Sequence, residues 1–115
     1  KENINFKGFI ENDNLPEVYK DHDVFILPSR TEPWGLVVDE AIYWGLPIVV
    51  SDRVGCSNEM VITPKTGVTF ELDNINSFNS AINNIEQNYK QYRDNAISFD
   101  FEKRDKKQIN AYFKL

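Results

Sequence analysis

Val24-Phe25-Ile26-Leu27-Pro28-Ser29-Arg30-Thr31-Glu32-Pro33-Trp34-Gly35-Leu36-Val37-Val38-Asp39-Glu40-Ala41 reads as a buried strand, a short polar turn and the start of a helix. The four apolar residues Val24 to Leu27 are too few for a helix and β-branched enough for a strand, which Pro28 ends because it has no N–H to give. Gly35 lets the backbone approach whatever sits above the turn, and helix-favouring residues follow from Leu36. The first N–H groups of that helix, around Gly35 to Val37, lack intrahelical partners and favour an anion, such as a phosphate, at the strand's carboxyl end. Glu32 precedes the helix and Glu40 follows about one turn into it, at ~1.5 Å per residue. Two carboxylates around one phosphate would repel it. Amides are therefore expected to take the phosphates and carboxylates the hydroxyls, since vicinal diols donate well to carboxylates. A nucleotide-sugar supplies sugar, diphosphate and ribose together.

Outward from this stretch the pattern stays α/β. A helix over about Leu36 to Trp44 is apolar around most of its circumference and is expected to be buried, with Gly45 in the usual terminal place for glycine. Pro47-Ile48-Val49-Val50 reads as a continuous apolar strand of a parallel sheet, so the two strands and their helix make a βαβ unit. The loops Ser29 to Glu32 and Ser51 to Ser57 then leave the same carboxyl edge, where such sheets bind ligands. Upstream, Ile4 to Ile10 alternates and predicts a short strand, followed by a helix capped by Asn14 with Pro16 in its first turn. Leu15, Val18 and Tyr19 form that helix's apolar face. Downstream, Asn58 to Val61 predicts a short helix and Gly67 to Leu72 an edge-side strand. Asn74 to Ser77 caps a helix carrying Phe78, Ala81, Ile82, Ile85 and Tyr89 at helical spacing, and Ile109, Tyr112 and Phe113 share one face of the terminal segment.

The chain has 115 residues, enough for one domain with a core. Hydrophobic residues at 41% and charged residues at 27% exclude a disordered or low-complexity class. A net charge of −5 argues against a nucleic-acid partner, whose binding needs many basic contacts. One cysteine, Cys56, excludes an internal disulfide, and with the single His22 no zinc set can be assembled. No apolar run reaches the ~18 residues of a membrane-crossing helix.

Pro28-Ser29-x-x-Glu32-Pro33-Trp34-Gly35-Leu36-Val37-x-x-Glu40-Ala41, followed by Gly45-x-Pro47-Ile48-Val49-Val50-Ser51, resembles the donor-binding half of retaining GT-B fold glycosyltransferases of family 4, the glycosyl transferases group 1. The family's Glu-x7-Glu pair is present as Glu32 and Glu40. Phe6-Lys7-Gly8-Phe9 and Tyr19-x-x-x-Asp23-Val24 match the preceding blocks, and Gly55, Glu59 and Thr66-Gly67-Val68 the following ones, over roughly residues 4 to 101. The ordered set is specific where a lone glutamate pair would not be. Gly55-Cys56 departs from the two adjacent small residues, often both glycine, of the family's loop, and narrows the pocket modestly.

The resemblance implies a partial Rossmann-like parallel sheet with flanking helices, the C-terminal half of a GT-B enzyme. It implies sugar transfer from a nucleoside diphosphate to a hydroxyl of an acceptor glycan or lipid with retention, in carbohydrate biosynthesis. Glu32 is the catalytic candidate, near hydroxyls of the donor sugar. Glu40 is assigned to the ribose diol, and Ser29, Gly35, Leu36, Val37 and Gly55 line the donor site. No metal or other cofactor is implied. Asp21-His22-Asp23 has the Asp-x-Asp form by which glycosyltransferases of the other major fold hold a cation, but it precedes the strand rather than following it, so a solvated turn is expected. Cys56 is expected to be a small hydrophobe, since no histidine is placed to activate it. The Gly-Arg strand and downstream Lys that family members place ahead of this segment are not found in it, nor is an acceptor domain. The chain is thus expected to be one truncated donor-binding domain, inactive alone, with an exposed sheet edge beside Val24 to Leu27 that invites self-association. A cytoplasmic location is expected, with the inner face of a membrane as the alternative for the full-length protein. The competing readings are a nucleotide- or partner-binding module, an epimerase of the same fold lacking the glutamate pair, and a receiver domain, which Pro28-Ser29 at the strand end disfavours.

Overall fold

The computed structural model describes Ile4, Phe6, Gly8, residues 10–31 and residues 36–105. Among these residues the sheet has three parallel strands in the order β1 (Phe25–Leu27), β2 (Ile48–Ser51) and β3 (Gly67–Phe70). Phe25 faces Ile48, and Ile48 in turn faces Gly67. Helix α1 (Leu15–Lys20) precedes β1, and α2 (Leu36–Tyr43) joins β1 to β2. A π-helical turn, Ser57–Ile62, leads to β3, and α3 (Ile75–Gln87) and α4 (Tyr89–Ile97) follow. The fold class is α/β, a partial Rossmann-like parallel sheet with flanking helices.

Period-2 alternation divides the core between the two faces of β2, a fully buried strand. Ile48 and Val50 pack with Val38, Ala41 and Ile42 of α2 and with Met60 and Ala96, while Val49 packs on the other face with Phe70, Ala81 and Ile85. Cys56 is buried in the first cluster, as a small hydrophobe would be. Gly45, with φ of 80°, closes α2: its N–H reaches Ile42 O at 2.9 Å and the Leu46 N–H reaches Ala41 O at 3.0 Å.

Several expectations change. Ile4, Phe6, Gly8 and Ile10 belong to no strand; Gly8 has φ of 68° and Phe6 is 92% exposed, so this part of the predicted strand is neither extended throughout nor covered. Asn5, Lys7 and Phe9 lie outside the described residues. The Asn14 side chain makes no cap, because a 3₁₀ turn, Asn12–Asn14, already gives Asn14 a helical backbone. Helix α2 is not buried all round: Leu36 and Tyr43 are exposed and only Val38, Ala41 and Ile42 are fully enclosed. The predicted helix at Asn58 to Val61 is the longer π-wound turn. Asn74 does cap α3, accepting the Ser77 N–H at 3.0 Å. Ile109, Tyr112 and Phe113 lie outside the described residues.

Candidate functional site

The carboxyl edge of the sheet is tied together by short polar contacts. The Ser51 hydroxyl, at the end of β2, donates to Ser29 O at 2.5 Å and so fixes the loop leaving β1 against the neighbouring strand. Beyond β2, the Asp52 N–H donates to Phe70 O at 2.9 Å, and the Asp52 carboxylate accepts the Leu72 N–H at 3.3 Å. The loops after all three strands are thereby held at one edge.

The candidates fall on this edge and on the helix that rises from it. Ser29 sits in the loop after β1, Leu36 and Val37 open α2, and Gly55 is exposed in the loop after β2. Leu36 at 66% and Val37 at 38% exposure leave the first turn of α2 accessible. Glu40 lies one turn further along, exposed, and accepts a hydrogen bond from the Tyr19 hydroxyl at 3.3 Å. Glu32 and Gly35 lie outside the described residues.

Tyr19 is the residue that sequence reasoning missed at this site. Its place on the apolar face of α1 marked it for packing, and it does pack against Phe25 with ring centroids 6.3 Å apart. Its hydroxyl carries the polar contact to Glu40, 21 positions away, and no spacing rule within one helix could have found it. Burial first, and then the charge and hydrogen bond of Glu40, push this hydroxyl up to about 12, so it stays protonated at neutral pH.

Arg30 forms a two-pronged ion pair with Asp73 at 3.0 and 3.1 Å, both side chains largely exposed, so its guanidinium is engaged by the loop after β3. A cavity of about 520 Å³ beside this pair is lined by Ile26, Phe70, Ile75 and Phe78 and includes none of the described candidate residues. Asp21, His22 and Asp23 are exposed in the turn before β1. Among the described residues no group of three or more His, Cys, Asp or Glu side chains is gathered as a metal site requires.

Residues 1–99 match the family model described as glycosyl transferases group 1. The chain belongs to this family. A curated relative from the capsule (cps) region of Klebsiella pneumoniae, an uncharacterized 41.2 kDa protein, is 34% identical over 76 residues, which are 66% of this chain and 21% of that protein. The sulfoquinovosyl transferase SQD2 of Arabidopsis thaliana is 39% identical over 69 residues, 60% of this chain and 13% of the relative. Among solved structures, sucrose-phosphate synthase from Thermosynechococcus elongatus superposes with a TM-score of 0.71 at 27% identity, covering 98% of this chain and 30% of that one. The chain therefore spans about a fifth or less of the length of these two curated relatives. Among the described residues no helix is long and apolar enough to cross a membrane.

Proposed function

We propose that this group 1 glycosyltransferase chain is the nucleotide-sugar donor-binding part of an enzyme with the GT-B fold that transfers a sugar to an acceptor hydroxyl with retention. The observation that carries the reading is the place of Glu40: one turn into a helix whose first turn is exposed and which follows the carboxyl-edge loop that Ser51 ties down. In this reading the diphosphate lies against the N–H groups of Gly35, Leu36 and Val37, Ser29 and Gly55 flank it, and the ribose diol donates to Glu40. Glu32 sits near the donor sugar's hydroxyls. The bond from the anomeric carbon to the diphosphate oxygen breaks, the acceptor oxygen bonds to that carbon from the same face, and the hydroxyl proton leaves with the diphosphate. Charge gathers on the leaving diphosphate, where fixed amide donors stabilise it. No metal enters the reaction and no nucleic acid is a partner. The chain by itself is a single donor-binding domain, inactive without an acceptor domain and a cationic phosphate clamp, working in the cytoplasm, and it self-associates through the sheet edge at β1.

Ligand-observed NMR with UDP, GDP and ADP tests the reading. One nucleotide is expected to bind preferentially, and Glu40→Ala to weaken it about tenfold, the scale of one hydrogen bond to a charged group. Equal binding of all three, unchanged by Glu40→Ala, would favour a nucleotide- or partner-binding module.

A further inference from the structure

We propose that Tyr19 is a positioning residue of the nucleotide site: its hydroxyl fixes one oxygen of the Glu40 carboxylate so that the other is presented to the ribose diol. The inference rests on the assignment of Glu40 to the ribose. Glutamate is a poor fixed acceptor by itself, because three side-chain torsions must be frozen before it can accept from two hydroxyls in a set geometry. Here Glu40 is exposed, so packing does not hold it. Among the described residues the Tyr19 hydroxyl, 3.3 Å from Oε2, is the one hydrogen-bond donor to it. Among the described residues no donor is bonded to Oε1, the oxygen that would accept from the ribose.

The hydroxyl is itself well placed to act as a fixed point. The Tyr19 ring packs on the α2-side core and leans on Phe25 of β1. The next residue, Lys20, sets its ammonium 4.9 Å from the centre of the Trp44 ring, just beyond the end of α2. Consecutive residues of α1 thus meet Glu40 on α2 and Trp44 in the turn that ends it, which sets the rotation of one helix against the other. Because the hydroxyl stays protonated through the neutral range, it donates under any condition in which a nucleotide would bind. A packing role alone would be served equally well by phenylalanine. The geometry gives the oxygen a separate task.

Binding of UDP, GDP and ADP and of their 2′-deoxy counterparts, followed by ligand-observed NMR on the wild type, Tyr19→Phe and Glu40→Ala, separates the possibilities. Tyr19→Phe is expected to weaken the preferred ribonucleotide about 3- to 10-fold while changing its deoxy counterpart little, so that the ribo-to-deoxy preference shrinks. An equal effect on both ligands, or no effect, would reduce Tyr19 to packing and overturn the proposal. A ribo-to-deoxy preference untouched by Glu40→Ala would instead sink the ribose assignment, and the Tyr19 proposal with it; so would the absence of any nucleotide binding. A ligand-free measurement checks the contact itself. The ¹³Cζ resonance of Tyr19 is expected to move in Glu40→Gln, and an unchanged shift would show that the hydroxyl does not serve Glu40.

Discussion

Two residues close their helical turns in the same way, and only one of them has the chemistry the position prefers. After α2, Gly45 takes a positive φ and is followed by the paired bonds of a helix-terminating turn. After the π-helical turn, Lys65 does the same at φ of 55°, its N–H reaching Ile62 O at 3.2 Å while the Thr66 N–H reaches Val61 O at 3.1 Å. A glycine announces such a stop in the sequence; a lysine does not, so the first was legible and the second was not. Left-handed backbone is costly for a residue with a Cβ. Lys65→Gly is therefore expected to stabilise the fold by about 0.5 to 1 kcal/mol, read as a higher urea midpoint with unchanged slope. Gly67 presents the opposite case. A Cβ there would lie 1.8 Å from Ile48 O, a backbone atom of the facing strand. Gly67→Ala must push β3 off β2, and a loss of roughly 3 kcal/mol or more is expected in the same measurement. A wild-type melting curve for that variant would mean that the two strands do not meet in this register.

Among the elements, those that organise a buried core were the legible ones. Pro47 to Val50 could be read because a central parallel strand is apolar on both faces, and α3 because its apolar residues recur at helical spacing. The segment from Ile4 to Ile10 alternates as a strand should, yet alternation supplies no neighbour for the strand to pair with, and at its described residues none is found. The attachment of the chain's later part was likewise invisible, because it depends on contacts between distant positions: Phe99 and Phe101 pack on the α2-side core, and an ion pair spans 65 positions. Arg104, in the helical residues 101–105, sits 3.3 Å from Asp39 of α2, and the two side chains are only 15% and 19% exposed. Burial first, joined by the charges of Asp105 and Glu40, holds the Asp39 carboxyl above its ordinary value, against the charge and hydrogen bond of Arg104, which lower it. Removing Arg104 leaves the burial uncompensated and raises that carboxyl further. A group whose folded pKa lies above its unfolded one favours the fold at low pH and loses that support as pH rises through the folded value. Arg104→Ala is thus expected to cost about 1 to 3 kcal/mol at pH 7 and distinctly less at pH 3, where Asp39 is protonated. Denaturant melts of variant and wild type at the two pH values test this, and an equal cost at both would assign the effect to packing of the arginine stem.

For the whole molecule, what could be read was the direction of the sheet and hence the edge at which a ligand would meet it; what could not be read was how side chains from separate elements support that edge. Ser51 bonding Ser29 and Tyr19 bonding Glu40 both join residues about twenty positions apart, and each depends on the strand register and helix rotation that only the assembled core sets. The same assembly leaves one side of the sheet without a partner strand among the described residues. Among the described residues β1 pairs with β2 alone, and none of them pairs with its other edge. On that strand Ile26 is 41% exposed, because α3 covers Val49 and Phe70 but does not close over it. Unpaired backbone edges recruit other strands, and burying even one isoleucine side chain contributes about 1.5 to 3 kcal/mol. The net charge of −5 opposes association at low ionic strength, and salt screens that repulsion. The chain alone is therefore expected to associate more strongly as salt and concentration rise, seen by multi-angle light scattering between about 10 and 300 μM protein, while Ile26→Lys, which places a charge on the open edge, restores the monomer. A wild-type chain that stays monomeric across that range at high salt would show that the β1 edge is covered.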